Sequence, residues 1–236
     1  MGERGDDEVL AGLLADRPSA DGPRGAFHRN LDAIDDLFTS AAIAVGAAMP
    51  AIHRAYLAGD RAVLEQARDL SRRTAADMAE TEHAAFVLLA RESPVGRDLR
   101  RLVAILRLVH DVERCATLLR HVCETMRRLD PRTLPPHLHA TVDELGRRAA
   151  EVYGHGVDAW RRRDALAVTE VEALDELVDG LQLRLYADLA TSEGVGDAPL
   201  VIGLVTRYYE RLADHAVTVA RDTSFVATGE RVVAHP

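Results

Sequence analysis

The stretch Arg207-Tyr-Tyr-Glu-Arg-Leu-Ala-Asp-His-Ala216 decides the fold, because its central Glu-Arg pair occurs twice in the chain. The other copy, Glu113-Arg114, lies 97 residues before Glu210-Arg211 and also precedes an apolar run with helical spacing. A segment repeated in this way indicates two copies of one supersecondary unit. The copies differ at one acidic position, since Thr117 takes the place of Asp214.

A second pair of matching segments extends the duplication. Asp60 follows Tyr56-Leu-Ala-Gly, and Asp164 follows Trp160-Arg-Arg-Arg, 104 residues later. Each Asp stands where one long helix is expected to end and the next to begin, and its side chain suits the free N–H groups of the new helix. Each half is therefore predicted to hold three long helices. The offset then falls from 104 to 97, which predicts a shorter connection at residues 192–197 in the second half.

Composition agrees with an all-α chain of six long helices. Only 4% of the 236 residues are aromatic, and Ala, Leu, Arg and Glu, all good helix formers, are abundant. The first helix is predicted over about residues 27–58. The predicted segments are a flexible tail at 1–25, a first three-helix repeat at 26–129, a linker at 130–136, a second repeat at 137–230 and a short tail at 231–236.

Several classes of protein are disfavoured. No apolar run is expected to reach the roughly 20 residues that span a bilayer. The net charge of −9 argues against nucleic-acid binding. Cys115 and Cys123 lie eight residues apart on one predicted helix, about 12 Å along its axis, which is too far for a disulfide. Buried, reduced thiols in a cytoplasmic protein are expected.

Two pairs of acids form the strongest candidate site. Asp175 and Asp179 lie four apart on the predicted fifth helix, and Glu210 and Asp214 lie four apart on the sixth. Residues four apart share one face of a helix. If the two helices pack together, four carboxylates meet and repel one another unless a cation neutralises them. Oxygen ligands suit iron, or alternatively Mg, Mn or Zn.

The same acids could have a simpler role. Such pairs also arise on solvated helix faces, and Arg207 and Arg211 could simply pair with Glu210 and Asp214. A metal-dependent helical-bundle enzyme is an alternative, but the chain has one Glu-x-x-His, Glu80 to His83, where di-iron bundles use two. A metal-free helical interaction module is the other alternative. No catalytic residues are predicted, and the chain is not expected to be an enzyme.

The chain resembles the PhoU family of regulators of bacterial phosphate uptake, from about residue 27 to 230. The second repeat carries both family motifs, Asp175-Glu-Leu-Val-Asp179 and Glu210-Arg-Leu-Ala-Asp214. Its sequence is most similar to that of actinobacterial members. The first repeat is degenerate. It keeps Glu113-Arg114, but Ser71, Ala75 and Thr117 stand at the other motif positions.

The resemblance implies two pseudo-symmetric three-helix bundles with metal clusters bound by the acidic motifs. It also implies a cytoplasmic negative regulator of phosphate uptake and of the phosphate-starvation response. Its implied partners are the ATPase subunit of a phosphate ABC transporter and a phosphate sensor kinase; a homodimer is also compatible with the sequence.

The two repeats are expected to differ in metal binding. Metal is predicted at Asp175, Asp179, Glu210 and Asp214, with Arg207 and Arg211 as ion-pair neighbours. Glu113 lacks carboxylate companions and is instead expected to pair with Arg114 or with an arginine of a facing helix.

Overall fold

The computed structural model describes residues 22–191 and 198–231. Within these residues the chain forms six long helices and no strand, which confirms the predicted all-α fold. The helices are α1 (Gly22–Leu57), α2 (Val63–Glu92), α3 (Gly96–Glu124), α4 (Pro136–Arg162), α5 (Ala167–Thr191) and α6 (Ala198–Thr228). Two short 3₁₀ turns, Thr125–Arg127 and Pro131–Thr133, connect α3 to α4.

Three predicted features fall wholly or partly outside this description. They are residues 1–21 of the N-terminal tail, residues 232–236 of the C-terminal tail and the short connection at 192–197. The first helix begins at Gly22 and not near Phe27, so it takes in the end of the predicted tail.

Helix α1 is more apolar than the sequence prediction allowed. By length and composition alone, its segment Arg24–Leu57 could cross a bilayer, because residues 37–53 include no Asp, Glu, Lys or Arg. The expectation that no segment approaches this limit was therefore too strict. In the fold, 39% of the apolar window is buried, and Phe38, Val45 and Met49 of this stretch lie in the core. One side of this helix therefore packs in the core, whereas the rest of the window, including Ile43 at 43% exposure, is not covered by the other helices.

The duplicated Asp residues occupy equivalent turns. Asp60 Oδ1 accepts the backbone N–H of Ala62 at 2.9 Å, and Asp164 Oδ1 accepts that of Leu166 at 2.9 Å. The residue before each Asp has a left-handed backbone, with φ of 67° at Gly59 and 58° at Arg163. The two halves thus turn from one helix to the next with the same geometry.

A shared core joins the two repeats. Helix α1 packs against α4, and α3 packs against α6, and buried side chains from all six helices form one cluster. Within the second repeat, the close approach of α4 to α6 depends on glycine, since a Cβ atom on Gly156 would lie 2.6 Å from the carbonyl oxygen of Ala216. Cys115 and Cys123 are buried free thiols, as predicted.

A buried ionic cluster fixes one end of the boundary between the repeats. The Asp35 carboxylate in α1 accepts the indole N–H of Trp160 at 2.9 Å and a guanidinium N–H of Arg101 at 2.5 Å. Arg163 also donates to Asp35, and its guanidinium lies 5.0 Å from the Trp160 ring centroid. The cluster therefore ties α1 and α3 of the first repeat to the end of α4.

A buried histidine fixes the other end of this boundary. His53 Nδ1 of α1 lies 2.7 Å from the Tyr209 hydroxyl of α6, and its Nε2 lies 3.2 Å from the Asp143 carbonyl oxygen of α4. The ring fits against Gly146, where a Cβ atom would overlap it. Burial lowers the pKa of His53. Because Tyr209 directly precedes Glu210, these contacts also set the rotation of α6 at the candidate site.

Candidate functional site

The α5–α6 hairpin positions the predicted site. A Cβ atom on Gly203 would lie 3.9 Å from the Tyr186 ring, so residues 186 and 203 are neighbours on the two helices. Helices joined by so short a connection pack antiparallel. Counting backward along α5 and forward along α6 from this pair brings Asp179 level with Glu210 and Asp175 level with Asp214. We call these four side chains the carboxylate site.

The four acids differ in exposure. Glu210 is 7% exposed, Asp175 is half-buried, and Asp179 and Asp214 are exposed. Among the described residues, Asp175 Oδ1 and Glu210 Oε2 are buried oxygens without any hydrogen-bond partner. A buried, unpaired carboxylate oxygen is costly. The site therefore has two oxygens at its base that a ligand from solvent could satisfy.

Electrostatics show that the acids act on one another. Burial, followed by the charges of Asp179, Asp214 and Glu210, raises the pKa of Asp175 to about 7. Burial and then Asp214 also raise the pKa of Asp179 and that of Glu210. Proximity of like charges favours the protonated forms, and a bound cation would reverse this effect.

The neighbouring arginines neutralise only part of this charge. Arg207 donates to Glu210, as predicted for residues three apart. Arg211, in contrast, makes no ion pair with Asp214 or with any other residue in the described part of the chain. In the simpler interpretation, arginines neutralise both acids of α6. In the structure an arginine pairs only with Glu210 Oε1.

The donor set fits a metal ion in its chemistry. Four carboxylates supply only oxygen ligands, which hard and borderline cations prefer. Within residues 22–191 and 198–231, no three acidic, histidine or cysteine side chains are already arranged to hold a metal. Mutual repulsion spreads acids that lack a cation, and Asp179 and Asp214 are exposed enough to change rotamer. The two unpaired buried oxygens are the structural feature that matches a cation.

The equivalent place in the first repeat holds hydroxyl groups. Ser71 Oγ of α2 lies 3.4 Å from Thr117 Oγ1 of α3, which is the same pairing of positions as Asp175 with Asp214. Ala75 of α2 adds no polar group to this site. The predicted correspondence of Ser71 and Thr117 with the acids of the second repeat is thus supported by their position in the fold.

The prediction for Glu113 was wrong. In the described part of the chain Glu113 forms no ion pair, either with Arg114 or with an arginine of a facing helix. Adjacent residues on a helix do not face each other, so Arg114 points elsewhere. The arginines of α2 that follow Ser71, Arg72 and Arg73, instead lie against Asp69.

Further polar contacts near the site join α3 to α6. His215 Nδ1 of α6 lies 2.7 Å from Asp111 Oδ1 of α3, and Arg107 of α3 donates to the buried Asp222 of α6 at 2.8 Å. They join the third helices of the two repeats directly behind the carboxylate site. Periodicity along one helix cannot reveal such pairs, because they depend on which faces meet in the fold.

The fold and the site together define a class: tandem three-helix repeats with a carboxylate site on the second hairpin. Comparison with solved structures agrees. The crystal structure of PhoU from Pseudomonas aeruginosa superimposes with a TM-score of 0.80 at 22% identity, covering 86% of this chain and 100% of that one. The phosphate transport system regulatory protein PhoU from Streptococcus pneumoniae gives a TM-score of 0.79 at 17% identity, covering 88% and 100%.

Sequence comparison gives the family. The PhoU domain model matches residues 41–126 and again residues 142–223. The chain is 34% identical over 210 residues to PhoU homolog 1 of Mycobacterium leprae, covering 87% of this chain and 94% of the relative. PhoU homolog 2 of Mycobacterium tuberculosis is 33% identical and is covered to 98%. The chain belongs to the PhoU family, and the predicted resemblance is confirmed.

Proposed function

We propose that the protein is a cytoplasmic, non-enzymatic regulator that restrains phosphate uptake and the phosphate-starvation response. Its mycobacterial relatives are named accessory proteins of a phosphate-specific transport system, and they match this chain through both repeats. The proposed partners are the ATPase subunit of a phosphate ABC transporter and a phosphate sensor kinase. A homodimer is a further assembly to test.

We also propose that the carboxylate site holds metal. The single observation that supports it is the pair of buried oxygens without a partner, Asp175 Oδ1 and Glu210 Oε2. Asp179 and Asp214 would supply the outer ligands, and Arg207 would hold Glu210 in place. A bound cation would offset the repulsion among the acids and so favour the packing of α5 against α6. Iron is the first candidate, and Mg, Mn and Zn are the alternatives.

Elemental analysis of protein purified without chelator tests the metal site. The wild-type chain is expected to retain metal and the Asp179→Ala/Asp214→Ala variant to lose it, because only two of four ligands remain. An Asp69→Ala variant, which removes an acid of α2 paired with Arg72, is the matched control. Equal metal in wild type and double variant would refute the site, and metal lost with Asp69 would place it elsewhere.

Gene deletion tests the regulatory role separately. Without the protein, phosphate-starvation genes are expected to be expressed in phosphate-replete cells, and the wild-type gene should restore repression. Unchanged expression would remove the protein from this pathway and leave its fold and metal content unaffected.

A further inference from the structure

A small pocket lies in the first repeat, where the turn before α2 meets the end of α3. It has a volume of about 210 Å³ and is lined by five side chains, Arg61, Leu64, Cys123, Met126 and Arg127. It shares no residue with the carboxylate site. Its walls come from two separate stretches of the chain, so the fold creates the pocket. We call it the arginine pocket.

The floor of the arginine pocket is apolar and uncharged. Leu64 is half-buried, and Cys123 and Met126 are buried. Burial, followed by the charge of Glu124, raises the pKa of the Cys123 thiol to about 12, so the thiol carries no charge at neutral pH. Among the described residues, no acidic side chain lines the pocket. The floor therefore has no charge that would repel an anion.

The two guanidinium groups of the pocket have no acidic partner. Arg61 and Arg127 are exposed, and in the described part of the chain neither forms an ion pair. Glu65 lies one turn after Arg61 but accepts a hydrogen bond from Arg68 at 2.6 Å. Asp60 precedes Arg61, and its side chain caps the turn before α2. Both positive charges are therefore available to a ligand.

The acids on the other side of the pocket also have partners already. Glu124 accepts a hydrogen bond from Arg120 at 2.7 Å, and Asp130 accepts one from Arg132 at 2.6 Å. Arg132 is the main cause that lowers the pKa of Asp130 to about 2, and Arg61 contributes least to this effect. The protein itself thus leaves the charge of the arginine pocket largely uncompensated, although the chain as a whole has a net charge of −9.

We propose that the arginine pocket binds a phosphate group, either of inorganic phosphate or of a small phosphate monoester. Two guanidinium groups match the charge of about −1.5 to −2 that a phosphate ester carries at neutral pH, and the guanidinium fork fits phosphate oxygens. A single carboxylate has one charge and would leave half of the positive charge unmatched. The proposal goes beyond the function proposed above and requires neither the metal nor the regulatory role.

The volume of the pocket limits the size of the ligand. Liquid water occupies about 30 Å³ per molecule, so 210 Å³ is the space of about seven waters. A phosphate group with a small apolar substituent fits this space, and the substituent would contact Leu64 and Met126. Pockets for drug-sized ligands start at about 300 Å³, so a larger ligand would extend into solvent.

Calorimetric titration of the full-length protein tests the proposal. The protein is treated with chelator and desalted first, so that phosphate cannot bind to a metal ion in the carboxylate site. Inorganic phosphate or phenyl phosphate is expected to bind with a Kd of about 1 mM or below, and benzoate at least about tenfold more weakly. Tighter binding of phenyl phosphate would identify an ester as the ligand, and tighter binding of inorganic phosphate would identify the free anion. Benzoate that binds as tightly as both, or no binding of either phosphate, would overturn the proposal.

Protein variants locate the binding. Arg61→Gln and Arg127→Gln should each weaken phosphate binding at least about tenfold. Arg128→Gln is the matched control, because Arg128 is exposed, adjoins Arg127 and does not line the pocket. An equal loss in the Arg128 variant would mean that only the general charge of this region matters, and the proposal would fail. Arg61→Gln should keep the wild-type metal content, so the phosphate site and the metal site can fail independently.

Methionine methyl signals locate the ligand without any substitution of the pocket. Met126 lines the pocket, whereas Met49 and Met78 are buried in the core outside it. In protein with ¹³C-labelled methionine methyl groups, the tighter-binding phosphate should shift the Met126 signal along the same saturation curve as the calorimetric titration. The signals of Met49 and Met78 should stay in place. An unchanged Met126 signal at saturation, or equal shifts of all three, would refute the pocket as the binding site.

Discussion

The hairpins α2–α3 and α5–α6 have one architecture and two chemistries. Where the second presents four carboxylates with unpaired buried oxygens, the first presents Ser71 and Thr117 with their hydroxyls 3.4 Å apart. The helices do not need the acids, because core positions and the matched turns at Asp60 and Asp164 specify them. Site residues can therefore differ between the repeats without a change of fold.

The turns before α2 and α5 show a second contrast. Gly59 adopts a left-handed backbone at little cost, whereas Arg163 adopts it with a side chain. The Arg163 guanidinium donates to the buried Asp35 and lies over the Trp160 ring. The less favourable backbone is thus accompanied by a contact between the repeats that glycine could not make.

The largest expected change is in metal content, when the acids of the second hairpin are introduced into the first. In a Ser71→Asp/Ala75→Asp/Thr117→Asp variant, Glu113 gains three carboxylate neighbours in the arrangement of the second hairpin. Metal per chain is expected to rise toward twice the wild-type value, because the new oxygens supply what Glu113 lacks. The measurement is elemental analysis after loading and desalting.

The matched control for this transplant carries asparagine at the same three positions. It has a similar size but no charge, so its metal content should stay at the wild-type level. A transplant that binds no more metal than this control would show that position alone does not make the second hairpin a metal site.

Much of this molecule could be predicted from patterns along the chain. Helical periodicity and the duplicated Asp and Glu-Arg anchors predicted six helices, and four-residue spacing placed each pair of acids on one face. The contacts of His53 with Tyr209 and of Asp35 with Arg163 were not predictable in this way. They join residues more than 100 positions apart, and their formation depends on how α1 meets α4 and α6. The predicted ion pair of Glu113 failed for the same reason. Which arginine can reach Glu113 depends on how α3 is rotated against its neighbours, and the sequence pattern does not give that rotation.

Asp175 should make metal-free protein less stable as pH rises. Its folded-state pKa of about 7 exceeds the unfolded value of about 3.9. Its favourable contribution is therefore complete below about pH 4 and is lost as pH rises through 7. Allowing for solvent screening, replacing it by Ser, the residue of the first repeat, should recover about 1–2 kcal/mol at pH 8.

Urea unfolding of chelator-treated protein at pH 4, 6 and 8 measures this effect. The difference between wild type and Asp175→Ser should grow with pH, whereas Asp69→Ser in the first repeat should not alter the pH dependence in this way. If the difference in the free energy of unfolding between the two proteins instead shrinks as pH rises, Asp175 is stabilised as an anion in the metal-free fold. Metal affinity should follow the opposite trend and increase through pH 7, because the cation competes with the proton.

Substitutions at the two left-handed turn residues, Arg163 and Gly59, should change the free energy of unfolding by a smaller amount. Arg163→Ala loses the contact with Asp35 and keeps the left-handed backbone cost, whereas Arg163→Gly loses only the contact. The glycine variant should therefore be more stable than the alanine variant by about 1 kcal/mol in chemical unfolding. Gly59→Ala should cost at least about 1 kcal/mol, since its Cβ would also lie 2.5 Å from Arg132 Nε. Equal stability of the two Arg163 variants would show that the left-handed backbone carries no cost at this turn.

The smallest effect is expected where the first hairpin has hydroxyls. The 3.4 Å separation of Ser71 Oγ and Thr117 Oγ1 is long for a hydrogen bond between hydroxyls, and both residues are half-buried, so water can replace the lost partner. Ser71→Ala should therefore change the free energy of unfolding by less than about 0.5 kcal/mol at every pH. Urea unfolding beside Asp175→Ser gives the direct comparison, because the two variants alter equivalent positions. A loss above about 1 kcal/mol would mean that the hydroxyl pair holds α2 against α3, so that the first hairpin has its own polar contact where the second has the carboxylate site.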